Sequence, residues 1–240
     1  MDKQLQPKLS KSAVLCYDSC PYQYKLSYVM KMKPLPSPIM ERGSQLHKLC
    51  EIFFEGTGTI LEGVEKILKD ENAIEHKAPM RNFIQFVKHI SQGKFRKPLM
   101  QENKFFLEKY NFTVIADAIF EDDEGNLMIL DYKSGRNRGV KNYRFELATY
   151  TFTMEEILGR KIKYWGILFL DDNEFVVDKK ATTRTFDYEE VIPNEIKKAK
   201  LKINNTRMKI NLQQFPKKPK YGCFGNGWSC GFFGNGCDGV

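Results

Sequence analysis

The stretch NFTVIADAIFEDDEGNLMILDYKSG, residues 111–135, decides how the chain is read. Two apolar runs rich in β-branched and aromatic residues flank DDEGN, whose acids, glycine and asparagine favour a tight reversal, so the stretch predicts a β-hairpin. Each run carries an aspartate: Asp117 inside VIADAIF, and Asp131 at the end of MILDYK, two residues before Lys133. A hairpin puts both carboxylates near one end of the sheet, and side-chain alternation turns Lys133 to the same face as Asp131. Asp117 is flanked by Val114, Ile115, Ala118 and Ile119, so its carboxylate is costly to desolvate without a cation or partner. Paired carboxylates bind a hard divalent cation through oxygen. A neighbouring lysine then orients or activates a water against a phosphodiester while the metal polarises the phosphoryl oxygen. Asp122, Asp123 and Glu124 read as turn caps and solvated charges.

Working outward, residues 99–110 (LMQENKFFLEKY) form a further strand, and the three strands together predict an antiparallel meander. NYRFELATYTFTMEEILG is a helix with Phe145, Ala148, Phe152 and Ile157 on or near its inner stripe, and YWGILFLDD a buried strand. FVVDKK and RTFDYEE are edge-strand candidates, and VIPNEIKKAKLKINN a basic helix. Towards the N-terminus, a helix capped by Ser10 or Ser12 breaks near Pro21, with Cys20 at the break, and resumes through Tyr28. After KPLPSP comes a helix with Ile39, Leu46, Leu49, Ile52 and Phe53 at helical spacing, His47 in its middle and Gly56 at its end. Amphipathic helices fit 59–68 and 79–90. The expected organisation is one domain over residues 1–240: a helical part (1–95), a catalytic α/β core (96–175), and a C-terminal helix and cysteine tail (176–240).

The 240 residues suffice for a sizeable core, and their 38 Lys and Arg against 30 acids give a net charge of +8, which suits a polyanionic partner. No apolar run approaches a spanning helix and MDKQLQPKLSKS has no apolar signal core, so the expectation is a soluble, intracellular (cytoplasmic) protein without a membrane partner. In that setting the six cysteines are reduced, and clustered ones point to metal. Cys223, Cys230 and Cys237 stand with six residues between successive members, in a glycine-rich tail whose FGNG repeats read as flexible turns.

Asp117 followed by DYKSG at Asp131 to Gly135 resembles the PD-(D/E)XK nuclease signature in its RecB-like branch. RGSQLH, through Gly43 and His47, is similar to that branch's Gly-x-x-x-His motif, in which the histidine is a metal ligand. Glu102 resembles the glutamate on the preceding strand, and ELATY the Gln-x-x-x-Tyr helix motif, with Tyr150 matching and Glu146 standing where the family has glutamine. A carboxylate there has no amide to donate, though it can reach a metal or a lysine. Some members carry an iron-sulfur cluster on one early and three late cysteines, and Cys20-Pro21-Tyr22 resembles the early segment. The resemblance implies a 4Fe-4S cluster on Cys20, Cys223, Cys230 and Cys237. The even spacing departs from the family, zinc also takes four thiolates, and Cys16 is a rival fourth ligand. Cys50 reads as a small core residue.

The resemblance therefore implies a restriction-endonuclease-like α/β core, with a mixed sheet flanked by helices. Its expected activity is that of a metal-dependent DNA exonuclease on single strands or DNA ends. His47, Asp117, Asp131 and the Tyr132 carbonyl would hold Mg²⁺ or Mn²⁺, and Lys133 would position the water. Lys25, Arg42, Lys104, Arg136 and Arg138 are candidates for phosphate, and Tyr150 for stacking or packing near the site. The relatives it implies work in CRISPR adaptation, in viruses and mobile elements, or as AddB-type recombination domains. Since the chain has no P-loop motif, unwinding would fall to a helicase partner. The alternatives are a structure-specific endonuclease of the same fold and a non-catalytic DNA-binding or adaptor module.

Overall fold

A computed structural model of the chain describes residues 7–35, 37–92, 96–135, 139–172, 174–178, 184–218, 223 and 230–239. In chain order the strands are β1 (Leu9–Ser10), β2 (Met100–Gln101), β3 (Lys104–Leu107), β4 (Phe112–Ile115), β5 (Ala118–Glu121), β6 (Leu127–Lys133), β7 (Ile162–Phe169) and β8 (Phe186–Glu190). The α-helices are α1 (Lys11–Ser19), α2 (Pro21–Tyr24), α3 (Pro38–Phe54), α4 (Ile60–Ile67), α5 (Lys77–Ser91), α6 (Arg144–Leu158) and α7 (Pro193–Asn211). They fall into two compact units: Ile39–Lys104 with Ile115–Ile196, and Met1–Pro38 with Phe105–Val114 and Lys197–Val240.

The first of these units is built on the hairpin. Asp122 makes its reversal, accepting at Oδ1 from the backbone N–H groups of Glu124 (3.0 Å) and Asn126 (2.8 Å), while Gly125 takes a φ of 79°. β5 and β6 pair antiparallel from Glu121 opposite Leu127 to Ala118 opposite Leu130. The full sheet runs β2-β5-β6-β7-β8, mixed because α6 carries the chain from β6 to a parallel β7. One sheet face, with Phe120, Leu130, Tyr132, Leu168 and Phe186, packs on Leu46, Leu49, Phe53 and Phe54 of α3 and on Phe83, Phe86 and Val87 of α5. The edge-to-face pairing of Phe83 with Phe53 and with Tyr132 ties those layers together.

Four expectations change. VIADAIF is not one strand: β4 ends at Ile115, β5 starts at Ala118, and the two belong to different sheets. LMQENKFFLEKY is divided in the same way between β2 and β3. The cause is local. Glu102 adopts a left-handed φ of 49°, and its N–H lies 3.1 Å from both the Ala116 and Asp117 carbonyls, so the two strands change sheet side by side. The antiparallel order of the meander survives in β2-β5-β6, with Met100 opposite Ile119 and Ala118 opposite Leu130. No strand forms over 175–178, although Phe175 and Val177 pack on the core; Lys179 and Lys180 lie outside the described residues. In α6 the whole run from Leu147 to Met154 is buried while Phe145 and Ile157 are only partly covered. Burial all round is tolerable because Thr149, Thr151 and Thr153 donate to carbonyls one turn back, at 2.7–2.8 Å.

The second unit carries the three-stranded sheet β1-β4-β3. Ser10 caps α1, accepting from the Ala13 N–H at 3.2 Å. Pro21, at the first position of α2, restarts the helix after the break at Cys20, and a π-helical turn over Lys25–Val29 continues it. Tyr24 stacks on Tyr28 at 4.9 Å and on Phe215 at 6.2 Å. α7 buries Ala199, Ile203, Thr206 and Ile210 along one stripe. No described helix is long and apolar enough to cross a membrane.

Gly63, inside α4, faces the Phe53 ring so closely that an added Cβ would lie 2.7 Å from its carbons. Alanine favours a helix over glycine by about 1 kcal/mol, whereas overpacking a core costs about 1–3 kcal/mol. Gly63→Ala is therefore expected to lower stability in urea titration, and a gain would show that the Phe53 ring yields.

Candidate active site

The break between β4 and β5 frees Asp117 from the strand ladder while keeping it beside β6. Its Oδ2 accepts from the Tyr132 N–H at 2.7 Å. His47, halfway along α3, presents both ring nitrogens to acceptors. Nε2 lies 3.0 Å from the Tyr132 carbonyl, and Nδ1 lies 3.2 Å from Glu102 Oε1 and 3.6 Å from Asp117 Oδ2. His47, Glu102 and Asp117 can each offer a ligand atom within 4.8 Å of the others, the one such group of His, Cys, Asp or Glu among the described residues. The left-handed backbone at Glu102, which costs about 1–2 kcal/mol in a residue with a Cβ, accompanies the placement of its carboxylate there.

At the end of β6, Asp131 is almost wholly buried, and Lys133 Nζ sits 2.6 Å from its Oδ2. The same ammonium lies 3.1 Å from Glu146 Oε2 and 4.8 Å from the centre of the Tyr143 ring. Tyr150, on α6 one turn beyond Glu146, points its hydroxyl at Asp131 Oδ1 across 3.4 Å. The carboxylate in the glutamine position therefore meets a lysine.

These groups perturb one another. Burial and the charge of Asp131 push Asp117 up to about 7, against the opposing pull of His47. Burial would lower His47, but its hydrogen bond to Glu102 and the charges of Asp117, Glu102 and Asp131 outweigh it and lift the imidazole to about 9. An imidazolium with an acceptor on each nitrogen agrees with that value. Burial likewise opposes the charge on Lys133, yet Asp131 and Glu146 raise its pKa well above the usual lysine value, so it stays an ammonium. Tyr150, raised chiefly by burial, stays a phenol.

Two hard carboxylates, an imidazole and the Tyr132 carbonyl form a donor set that fits Mg²⁺ or Mn²⁺, and the proton on His47 occupies the role such a cation would take. Asp117, Asp131, Lys133, Glu102, Tyr150, His47 and Tyr132 are thus brought together. Arg42 instead grips Asp171 in a bidentate pair (2.5 and 2.6 Å) and reaches the Ser134 carbonyl at 3.3 Å, bracing the turn after Lys133. Gly43 permits that approach, since an added Cβ would lie 3.3 Å from Ser134 Oγ. Lys104 is exposed, Lys25 is part of the π-helical turn in the other unit, and Arg136 and Arg138 lie outside the described residues. Asp171 was invisible to sequence reasoning, because YWGILFLDD offers no mark of a distant arginine.

Cys20, Cys223, Cys230 and Cys237 all belong to the unit that holds both terminal segments, and none is in a disulfide. Cys20 and Cys223 are buried, and Cys230 and Cys237 partly so. Cys230 and Cys237 share one turn, in which Phe233 N–H donates to the Cys230 carbonyl (2.8 Å) and Cys237 N–H to that of Phe232 (3.1 Å). That turn rests on the N-terminal segment: Leu35 N–H donates to the Gly231 carbonyl at 2.8 Å, and the Tyr22 hydroxyl reaches the Gly236 carbonyl at 3.5 Å. Lys217 lies over the Tyr22 ring, 5.5 Å from its centre, and pairs with Asp238. Among the described residues no three of these thiols gather within 4.8 Å of one another, so the structure places them in one unit without assembling them into a ligand set.

Both raised values have the same sign in linkage. His47, lifted from 6.5 to about 9, contributes stability that is complete below 6.5 and lost as pH rises through 9. Asp117, lifted from 3.8 to about 7, contributes stability that is complete below 3.8 and lost as pH rises through 7. The metal-free protein should therefore melt lower at pH 9 than at pH 6, by on the order of 5 °C. Mn²⁺ should restore the loss, its effect growing over the same window. A metal effect independent of pH in differential scanning fluorimetry would contradict this ligand set.

Comparison with curated proteins finds no match. The profile of the PD-(D/E)XK nuclease superfamily, in contrast, matches residues 8–232, nearly the whole chain, taking in the carboxylates, lysine and histidine gathered at the end of β6. The chain belongs to the PD-(D/E)XK nuclease superfamily.

Proposed function

We propose that this nuclease is a metal-dependent DNA exonuclease acting on single strands or DNA ends, in the RecB-like branch, with a 4Fe-4S cluster joining its terminal segments. The observation that carries the catalytic reading is Lys133, held as an ammonium 2.6 Å from Asp131 beside the group of His47, Glu102 and Asp117. His47, Asp117, Asp131 and the Tyr132 carbonyl would hold Mg²⁺ or Mn²⁺, with Glu102 against His47. A cation bound there supplies positive charge to the phosphoryl oxygens and the leaving oxygen.

The side chains set the rest of the reaction. Because Lys133 keeps its proton, it serves as a donor to the attacking water and a stabiliser of negative charge, not as a base. Glu146 restrains that ammonium from the side away from Asp131. Tyr150, a neutral phenol, holds the Asp131 carboxylate in its rotamer. Water attack at phosphorus forms one P–O bond and breaks the scissile one; the proton lost by the attacking water goes to solvent, and the departing alkoxide takes one up from solvent to leave as a hydroxyl.

The cluster reading rests on Cys20, Cys223, Cys230 and Cys237 lying in one unit and on the resemblance of Cys20-Pro21-Tyr22 to cluster-bearing relatives. Cys50 is sealed in the helical core beside Phe53 and Phe83 and takes no part.

Asp131→Asn and Lys133→Ala should each cut Mn²⁺-dependent cleavage of linear single-stranded DNA by on the order of 10³-fold, with circular dichroism checking that each still folds, Lys133→Ala at lower stability because buried Asp131 loses its partner. Activity retained in both variants would sink this mechanism, and cleavage of circular single strands would make the enzyme an endonuclease. Anaerobically purified protein should contain about four irons and four sulfides, as a cubane on four thiolates requires. Cys20→Ser should lose most of that iron and Cys50→Ser none. One zinc and no iron would replace the cluster with a zinc centre.

A further inference from the structure

The positive charge of the chain is not spread along it. Residues 1–195 hold 29 Lys or Arg and 29 acids, so the whole excess of +8 arises from residues 196–240, with nine basic side chains and one acid, Asp238. Much of that charge lies on α7. At 100° per residue, Lys198, Lys202 and Lys209 fall within a narrow arc beside the buried stripe of Ala199, Ile203, Thr206 and Ile210. Exposed Leu201, Met208 and Leu212 fall on the far side of the lysines, at relative exposures of 60%, 53% and 62%. The three lysines and, of the apolar stripe, Leu201 line a cavity of about 470 Å³ walled also by Tyr17, Asp18 and Pro21 and by Gln214, Pro216 and Lys218, with Met208 outside it. Every lining residue lies in the unit that carries the cysteines.

The one acid in that wall is already engaged. Asp18 pairs with Lys202 at 2.8 Å, and its carbonyl accepts from Lys218 Nζ at 2.9 Å. Four lysines against one carboxylate leave the cleft strongly positive, and an exposed ion pair of the Asp18 type is weak enough to exchange for a phosphate. We propose that this lysine-lined cleft on α7 is a second binding surface for single-stranded DNA, outside the catalytic group. Lys198, Lys202, Lys209 and Lys218 meet consecutive phosphates, while Leu201 and the proline walls take the faces of unstacked bases. A single strand fits better than a duplex because a duplex offers no base faces to the apolar stripe. The proposal rests on DNA being the substrate but not on cleavage.

The test uses the full chain with metal chelated, so that binding is read without hydrolysis. Fluorescence anisotropy with a labelled 30-nucleotide single strand gives affinity across a salt series for the parent and for the Lys198→Gln, Lys202→Gln, Lys209→Gln triple variant. Glutamine preserves helix propensity, and a melting curve checks the fold. The parent should bind with a steep salt dependence. The triple variant should bind at least about tenfold more weakly at moderate salt, with a slope of log Kd on log salt shallower by about 2, or about 0.7 per lost phosphate contact. Unchanged affinity and slope, no binding by the parent, or a lysine-dependent preference for phosphatidylserine vesicles over DNA would each overturn the assignment. Loss of cleavage in the parent with this binding intact would instead count against the nuclease reading alone.

Discussion

The core depends on one unfavourable act, the burial of acid charge where β5 and β6 meet. Asp117 and Asp131 are each under a tenth exposed, and Glu102 is turned towards them. Carboxylates crowded out of water repel one another and lose hydration, and no amount of apolar packing around them repairs that. What offsets the burden in the metal-free protein is a small set of protons and cations: the imidazolium of His47, the ammonium of Lys133, and the N–H of Tyr132. The first comes from α3 and the other two from β6, while Asp117 comes from the β4–β5 break, so these three parts of the chain have to converge. The aromatic packing of Phe53, Phe54, Phe83 and Tyr132 makes that convergence rigid.

Much of this was legible from residues 111–135. A hairpin follows from apolar runs rich in β-branched and aromatic residues around DDEGN, and a carboxylate in need of a partner follows from placing Asp117 among Val114, Ile115, Ala118 and Ile119. His47 was legible only through Gly43 and the family pattern, since a lone histidine on a helix carries no such message. Three things were not legible. The sheet change at Glu102 and Asp117 arises from a left-handed backbone at a glutamate, which local propensity does not announce. The burial of α6 on every side depends on threonine hydroxyls folding back on the helix, a tertiary outcome with no amphipathic trace. Arg42 read as a phosphate ligand because exposed arginines often are, yet its fork matches the carboxylate of Asp171, a partner 129 positions away.

The glycine-rich tail also reads differently once its neighbours are known. Its repeats looked like loose turns. Gly231, Gly236 and Gly239 are instead positions where backbone is pressed against something, while Gly234 faces open space. A Cβ at Gly236 would meet Met32 at 2.7 Å, and one at Gly239 would meet the Cys223 carbonyl at 2.3 Å. Small residues here serve proximity, letting the tail lie flat on the segment that holds Tyr22 and Pro34.

That proximity has a consequence for the order in which the chain becomes ordered. The hairpin joins near neighbours in sequence, as in the fifteen positions separating Asp117 from Tyr132, and the helices close on it over longer spans, 85 positions from His47 to Tyr132 and 129 from Arg42 to Asp171. The tail's contacts span about 200 positions, as between Asn235 and Lys33 or between Tyr22 and Gly236. Closing so long a loop costs entropy before any contact rewards it. The unit that holds the carboxylates thus closes shorter loops than the tail does, so the thiols of the tail are set to be enclosed last and to stay open to reagents until then.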